Sequence, residues 1–178
     1  DYLTASNASL STLVDKALDE FRGTPVEGAD IVTNLDLDAQ QVALDQLAVV
    51  PSQVEGWLVT ALLGGMGPLA ESEQRGMVTL RPEGLAFRHE LARHALEQSM
   101  PASRRMAFNR AVMDALLEDG HADLSRIVHH AVAAGEVGTV LSYGPRAARE
   151  AAQAGAHSQA LAHYEHVVPH LDALPADA

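Results

Sequence analysis

The chain has no cysteine, which excludes disulfide frameworks and thiolate metal sites. It has a single lysine, Lys16. A phosphate-cradling P-loop needs Gly-Lys-Ser/Thr, and Lys16 sits in Val14-Asp15-Lys16-Ala17. A Ser-x-x-Lys nucleophile is excluded by the same residue, because Leu13 stands three positions before it. There is no Gly-x-Ser-x-Gly and no Gly-x-Gly-x-x-Gly. No constellation for covalent, phosphoryl-transfer or hydride chemistry remains, and the expectation is a protein that is not an enzyme. Aromatic residues are only 4% of the chain, with one Trp, three Phe and three Tyr. A core must then be built from Leu, Val and Ala, which favours helix packed on helix. No apolar run approaches the roughly 18 to 20 residues that span a bilayer, and no signal peptide is visible. A cytoplasmic protein with no membrane partner is expected.

What is present is 178 residues, 18.9 kDa, enough for one large domain or two small ones. Apolar residues are 47% and charged residues 20%, which suits a folded core rather than a disordered polyampholyte. The net charge is −12, which opposes duplex DNA binding by bulk charge. Residues 1–47 carry nine acids and two bases, and residues 48–178 carry 15 acids and 10 Arg. A chain that begins at Asp1 rather than Met is expected to be a piece of something larger.

Hydrophobic periodicity sets the expected elements. Leu10, Leu13, Val14, Ala17, Leu18 and Phe21 form one short amphipathic helix, stopped by Gly23-Thr24-Pro25, and residues 30–33 are a short extended piece. This makes 1–34 an acidic segment with one short helix. From there the pattern is continuous. Asp36 or Asp38 caps a helix that runs to Val50 and ends at Pro51. Ser52 caps the next, with Glu55 completing a capping box; it carries Val54, Trp57, Leu58, Ala61 and Leu62 and closes at Gly64-Gly65. A weaker third helix covers 68–74. Met77-Val78-Thr79-Leu80, the turn Pro82-Glu83-Gly84, and Leu85-Ala86-Phe87 then read as a β-hairpin. Three helices and a hairpin give a winged-helix-like domain over 35–88. The remainder, 89–178, is helical. Helices are expected at 89–99, 101–118, 123–134, 137–143, 146–154 and 157–168. Gly135 and Gly155 stand 20 residues apart, each after an Ala-rich helix end. That spacing suggests stacked, tetratricopeptide-like helical hairpins. The fold class expected is mainly α.

Several clusters suggest chemistry. His89-Glu90-Leu91-Ala92-Arg93-His94 approaches the zincin motif, but its second His is at i+5 rather than i+4. His163, His166 and His170 share one helix face at i, i+3, i+7, with His157 nearby, and no carboxylate completes a metal shell; no metal is expected. Arg88, Arg93, Arg104, Arg105 and Arg110 form a basic cluster that is expected to be neutralised by Glu90, Glu97 and Asp114. The third helix, Leu69-Ala70-Glu71-Ser72-Glu73-Gln74-Arg75, carries two acids and one base, so it repels phosphate. No direct DNA binding is expected.

Two resemblances follow from the motifs. The broader covers 35–178. Its residues are Leu47-Ala48-Val49-Val50-Pro51, Val54-Glu55-Gly56-Trp57-Leu58, Arg75-Gly76-Met77-Val78 and Leu85-Ala86-Phe87-Arg88-His89-Glu90-Leu91-Ala92-Arg93. They continue with Ser99-Met100-Pro101-Ala102-Ser103-Arg104-Arg105, Ala147-Ala148-Arg149-Glu150-Ala151, Gly155-Ala156-His157 and Ala160-Leu161-Ala162-His163-Tyr164. In this order they resemble the middle region of the large ATP-binding, MalT-like transcriptional regulators of the LuxR family. The resemblance implies a non-enzymatic regulatory fragment that couples nucleotide state to an effector-binding helical array. Its partners would be the other domains of the parent regulator and an effector. ATP or ADP would be bound by the parent, and no cofactor by this fragment. It also implies a nucleotide-phosphate-sensing role for His89, which follows the hairpin and opens a helix; Arg88 and Glu90 stand where the family often has Met and Asp. The second resemblance covers 1–47, through Asp1-Tyr2-Leu3-Thr4, Gly28-Ala29-Asp30-Ile31-Val32-Thr33-Asn34-Leu35-Asp36 and Ala39-Gln40-Gln41-Val42-Ala43. It is similar to the non-catalytic lead-in of penicillin-binding protein transpeptidases. This implies the alternative of an extracytoplasmic cell-wall scaffold segment, or of a composite chain.

Overall fold

A computed structural model describes residues 37–120 and 123–173. They lie in one compact unit, Asp36–Ala178. The helix expected at 10–21 and the extended piece at 30–33 lie outside the described residues.

The protein is mainly helical, with a small antiparallel sheet. Helix α1 (Leu37–Ala48) is followed by strand β1 (Gln53–Val54) and helix α2 (Gly56–Leu63). A 3-10 turn, Gly67–Leu69, leads into the short α3 (Ala70–Gln74). Strands β2 (Val78–Arg81) and β3 (Gly84–Phe87) form the hairpin. This is the element order of a winged helix. Apolar spacing places Ala43, Leu44, Leu47 and Ala48 on one buried face of α1, and the core also contains Leu58, Val59, Leu69 and the fully buried strand β3.

The sheet has three strands, not the two of an isolated hairpin. Its order is β1-β3-β2, with Val54 opposite Leu85 and Val78 opposite Phe87. The expected Ser52 capping box therefore does not form. Ser52 has φ +67, and Gln53 N–H donates to Pro51 O at 2.9 Å across it. This tight turn throws Gln53 and Val54 into extended backbone, and burial of Val54 on β3 outweighs a local cap. The helix starts only at Gly56, after Glu55 in extended conformation. Gly84 permits the arrangement. Its φ is +147, and a Cβ there would collide with the backbone oxygen of Val54.

After the sheet come α4 (Glu90–Ser99), α5 (Ala102–Asp119), α6 (Leu124–Ala134), α7 (Val137–Gln153), α8 (His157–Val167) and a closing 3-10 stretch, Val168–Ala173. Helices α5 to α8 each pack on the next as stacked hairpins. The two glycine corners are alike. Gly135 and Gly155 have φ of 75 and 79. After each, the next residue donates back across the turn at 2.8 Å, Glu136 to Ala131 O and Ala156 to Ala151 O. These are Schellman caps, which satisfy the terminal carbonyls.

One expectation fails within this array. Residues 137–143 and 146–154 are one helix, not two, with Pro145 inside it. A proline normally forces the residue before it out of the helical region, because its Cδ meets that residue's Cβ. Here that residue is Gly144, which has no Cβ. Gly144 also faces α8 closely, since a Cβ there would strike Val167. With Ala147, Ala148 and Ala151, it lets the two helices cross with their backbones near each other. No helix among the described residues is long and apolar enough to cross a membrane.

Candidate functional site

His89 stands where the chain leaves β3. It is the residue before α4, with φ −127 and ψ 117, and its carbonyl accepts from Ala92 N at 3.0 Å and Arg93 N at 3.2 Å. Its side chain is exposed and makes no capping hydrogen bond. The imidazole is therefore presented at a helix N-terminus, beside backbone N–H groups suited to an anion. Glu90 in the first turn opposes negative charge there.

What fixes the start of α4 is Arg93, one turn on. It is 6% exposed. One guanidinium nitrogen, Nη1, donates to the backbone oxygen of Ala48 at the end of α1 and to Glu97 Oε2 at 3.0 Å; Nε donates to Glu90 Oε1 at 2.6 Å. A second tie joins the winged-helix-like part to the array. Arg126 of α6 grips Glu55, before α2, with both guanidinium nitrogens, the second at 3.1 Å. Burial alone would raise the Glu55 carboxyl. The hydrogen bond from Arg126, a backbone hydrogen bond and the Arg126 charge together outweigh it and hold the group below its ordinary value.

Three of the five arginines of the basic cluster, Arg93, Arg104 and Arg110, are held in such pairs. Arg93 meets Glu90 and Glu97, as expected. Arg104 reaches buried Asp45 at 3.3 Å, and Arg110 pairs with Glu136 rather than Asp114. Glu71 of the short α3 pairs with Arg75. Helix α3 has five residues and buries Ser72, which accepts from Gln40 at 2.9 Å, so this helix offers acids, not bases, to a DNA groove.

The histidines of α8 do not act as one face. His163 is buried, and its Nε2 lies 3.1 Å from Ser125 Oγ, which also accepts from Gln159 Nε2 at 3.1 Å. Burial and then the neighbouring His166 lower the His163 pKa, while Asp123 opposes them. His166 and His170 instead border a cleft of about 140 Å³ with Val132, Val137 and Val140. Among the described residues no group of three or more His, Cys, Asp or Glu could hold a metal ion.

One buried pair went unread in the sequence. His130 of α6 is 1% exposed, and its Nδ1 lies 2.8 Å from Asn109 Oδ1. Asn109 Nδ2 donates in turn to Arg105 O at 2.8 Å. The signal was available: Ile127, His130, Ala131 and Ala134 keep the i, i+3, i+4, i+7 spacing of the buried face. Glu55 and Arg126, 71 residues apart, carry no such local signal.

No family model, curated protein or solved structure matches the chain.

Proposed function

We propose that the chain is a non-enzymatic regulatory and interaction module of an ATP-dependent, LuxR-family transcription regulator. The winged-helix-like part reads nucleotide state at His89 and passes it to the helical array, which takes up an effector. The observation that carries this reading is the Arg93 anchor. It ties the helix that begins after His89 to the end of α1, while Glu55 and Arg126 tie the neighbouring α2 to α6. A shift of the α4 N-terminus on phosphate binding would then move packed helices rather than a loose loop. The motif resemblance over 35–178 supplies the nucleotide and the family. The acidic α3 and the net charge of −12 support the reading that DNA is recognised by another part of the parent regulator, which would be cytoplasmic.

The test is His89→Ala in the intact parent. A charge-assisted contact to phosphate contributes roughly 1.5–3 kcal/mol, which shifts a two-state balance about tenfold to a hundredfold. ADP retention should fall and basal reporter output should rise without effector. Unchanged ADP retention in a stably folded variant rejects the sensing role. The isolated chain should not hydrolyse ATP or shift duplex DNA at about 150 mM salt. Turnover abolished by a point change within the chain would overturn the non-enzymatic reading.

A further inference from the structure

Helix α8 buries one face and leaves a second apolar face open. Ala160, His163 and Val167 are buried. The residue after each of them, Leu161, Tyr164 and Val168, is 59%, 41% and 60% exposed, and Leu171 is 47% exposed. At about 100° per residue, these four form a stripe turned roughly a quarter of the way round from the buried seam. Val168–Ala173 is a 3-10 stretch, in which residues three apart eclipse, so Leu171 continues the line of Val168. Gln159 and His163 reach Ser125 on α6 from the other side of the seam. The stripe therefore faces away from α6.

Its spacing and its borders define what fits. Over the α-helix the intervals of three and four from Leu161 to Tyr164 to Val168 are the a/d spacing of a helix pair crossing at about +20°, and Leu171 extends the line through the 3-10 stretch, so the occupant is a helix. Glu165 stands four residues after Leu161, at the e position of that seam, and Asp172 directly follows Leu171 in the 3-10 stretch. Beyond Arg149 the chain carries Glu150, Glu165, Asp172 and Asp177 and no Lys or Arg. A second copy would bring carboxylates against carboxylates, on chains that each carry −12. We infer that the Leu161–Tyr164–Val168–Leu171 stripe docks an amphipathic helix of a partner protein, apolar along its seam and flanked by Lys or Arg facing Glu165 and Asp172. This deepens the interaction-module reading and rests on it, while the His89 measurement of ADP retention stands apart from its outcome.

The experiment uses the full chain and two labelled synthetic helices of about three heptads, both with Leu at a and d, one with Lys and one with Glu at e and g. Fluorescence anisotropy at about 150 mM salt should show binding of the Lys helix and none of the Glu helix. Leu161→Gln with Val168→Gln keeps the charge, alters only exposed side chains, and should weaken binding at least about tenfold with unchanged circular dichroism. Glu165→Gln and Asp172→Asn should each weaken it roughly two- to fivefold. Equal binding of both helices, or Lys-helix binding that survives Leu161→Gln with Val168→Gln, would reduce the effect to general charge attraction and overturn the proposal. Self-association of the chain that the same double substitution abolishes would assign the stripe to a second copy instead.

Discussion

Acid should loosen the helical array through one residue, His130. Its ring is 1% exposed. Because Asn109 donates its amide nitrogen to Arg105 O, its Oδ1 is left to accept, and the His130 proton sits on Nδ1. Burial first, and then the charges of His129 and Arg126, push the His130 pKa from 6.5 down to about 3. The folded chain thus refuses a proton that the unfolded chain takes up. The contribution to stability is complete above the unfolded value of 6.5 and is lost as pH falls from there toward 3. At pH 4.5, two units below the unfolded value, the loss is about 3 kcal/mol, a large share of the roughly 5–15 kcal/mol that holds a domain.

Urea unfolding followed by circular dichroism, at about pH 7 and pH 4.5, measures this loss. Carboxylates of the unfolded chain also begin to take up protons toward pH 4.5, so the informative quantity is the difference between variants. His130→Asn keeps an amide donor near the place of Nδ1 and cannot be protonated. It should cost stability at pH 7 but lose roughly 3 kcal/mol less than the parent on acidification. Asn109→Asp sets a carboxylate beside Nδ1, favours the imidazolium, and should also flatten the pH dependence. The reasoning fails if His130→Asn loses as much stability as the parent between the two pH values, or if the His130 ring titrates by NMR near 6.5.

Three substitutions test the packing account. Gly144→Ala should destabilise by about 1–3 kcal/mol in urea unfolding, because the new methyl meets the short, buried side chain of Val167 and precedes Pro145; a stabilised variant would show that α7 and α8 are not held at that distance. Pro145→Ala restores an N–H inside α7 and should raise stability by about 1–3 kcal/mol, with a lower melting temperature counting against a continuous helix. Arg93→Met leaves the Ala48 carbonyl without its guanidinium donor and should cost about 1–3 kcal/mol, with faster amide exchange at the end of α1; unaltered exchange there would mean that Arg93 does not anchor α4.

Elements whose signals are local were legible in the sequence. The hairpin around Pro82-Glu83, the Gly135 and Gly155 corners and the helix after His89 all rest on residues within one or two turns of each other. The failures share another cause. Ser52 and Glu55 fit a capping box as a four-residue pattern, but Val54 is drawn into the sheet by Leu85, some thirty positions on. Pro145 is a helix breaker by local rule. What keeps α7 whole is the missing Cβ of Gly144 and the α8 helix packed against it, and neither appears in a window that reads only the proline. Local propensity is a weak term beside burial against a distant partner.

The same distinction orders the candidate site residues. His89 could be placed from sequence because the role proposed for it depends on position, at the end of a hairpin and the start of a helix. Arg93 could be matched to Glu90 and Glu97 within its own helix, but not the arginines that find their carboxylates in three dimensions: Arg104 crosses 59 positions to Asp45, and Arg126, outside the cluster, crosses 71 to Glu55. Those partners change what the cluster can do. Paired with carboxylates on α1 and before α2, Arg104 and Arg126 fasten α5 and α6 to the winged-helix-like part and are not free for phosphate, whereas Arg88 is exposed directly before His89. An anion at the start of α4 would therefore depend on the backbone N–H groups, on His89 and on the neighbouring Arg88. On that geometry, a change at His89 should alter nucleotide retention more than the loss of any one of these paired arginines.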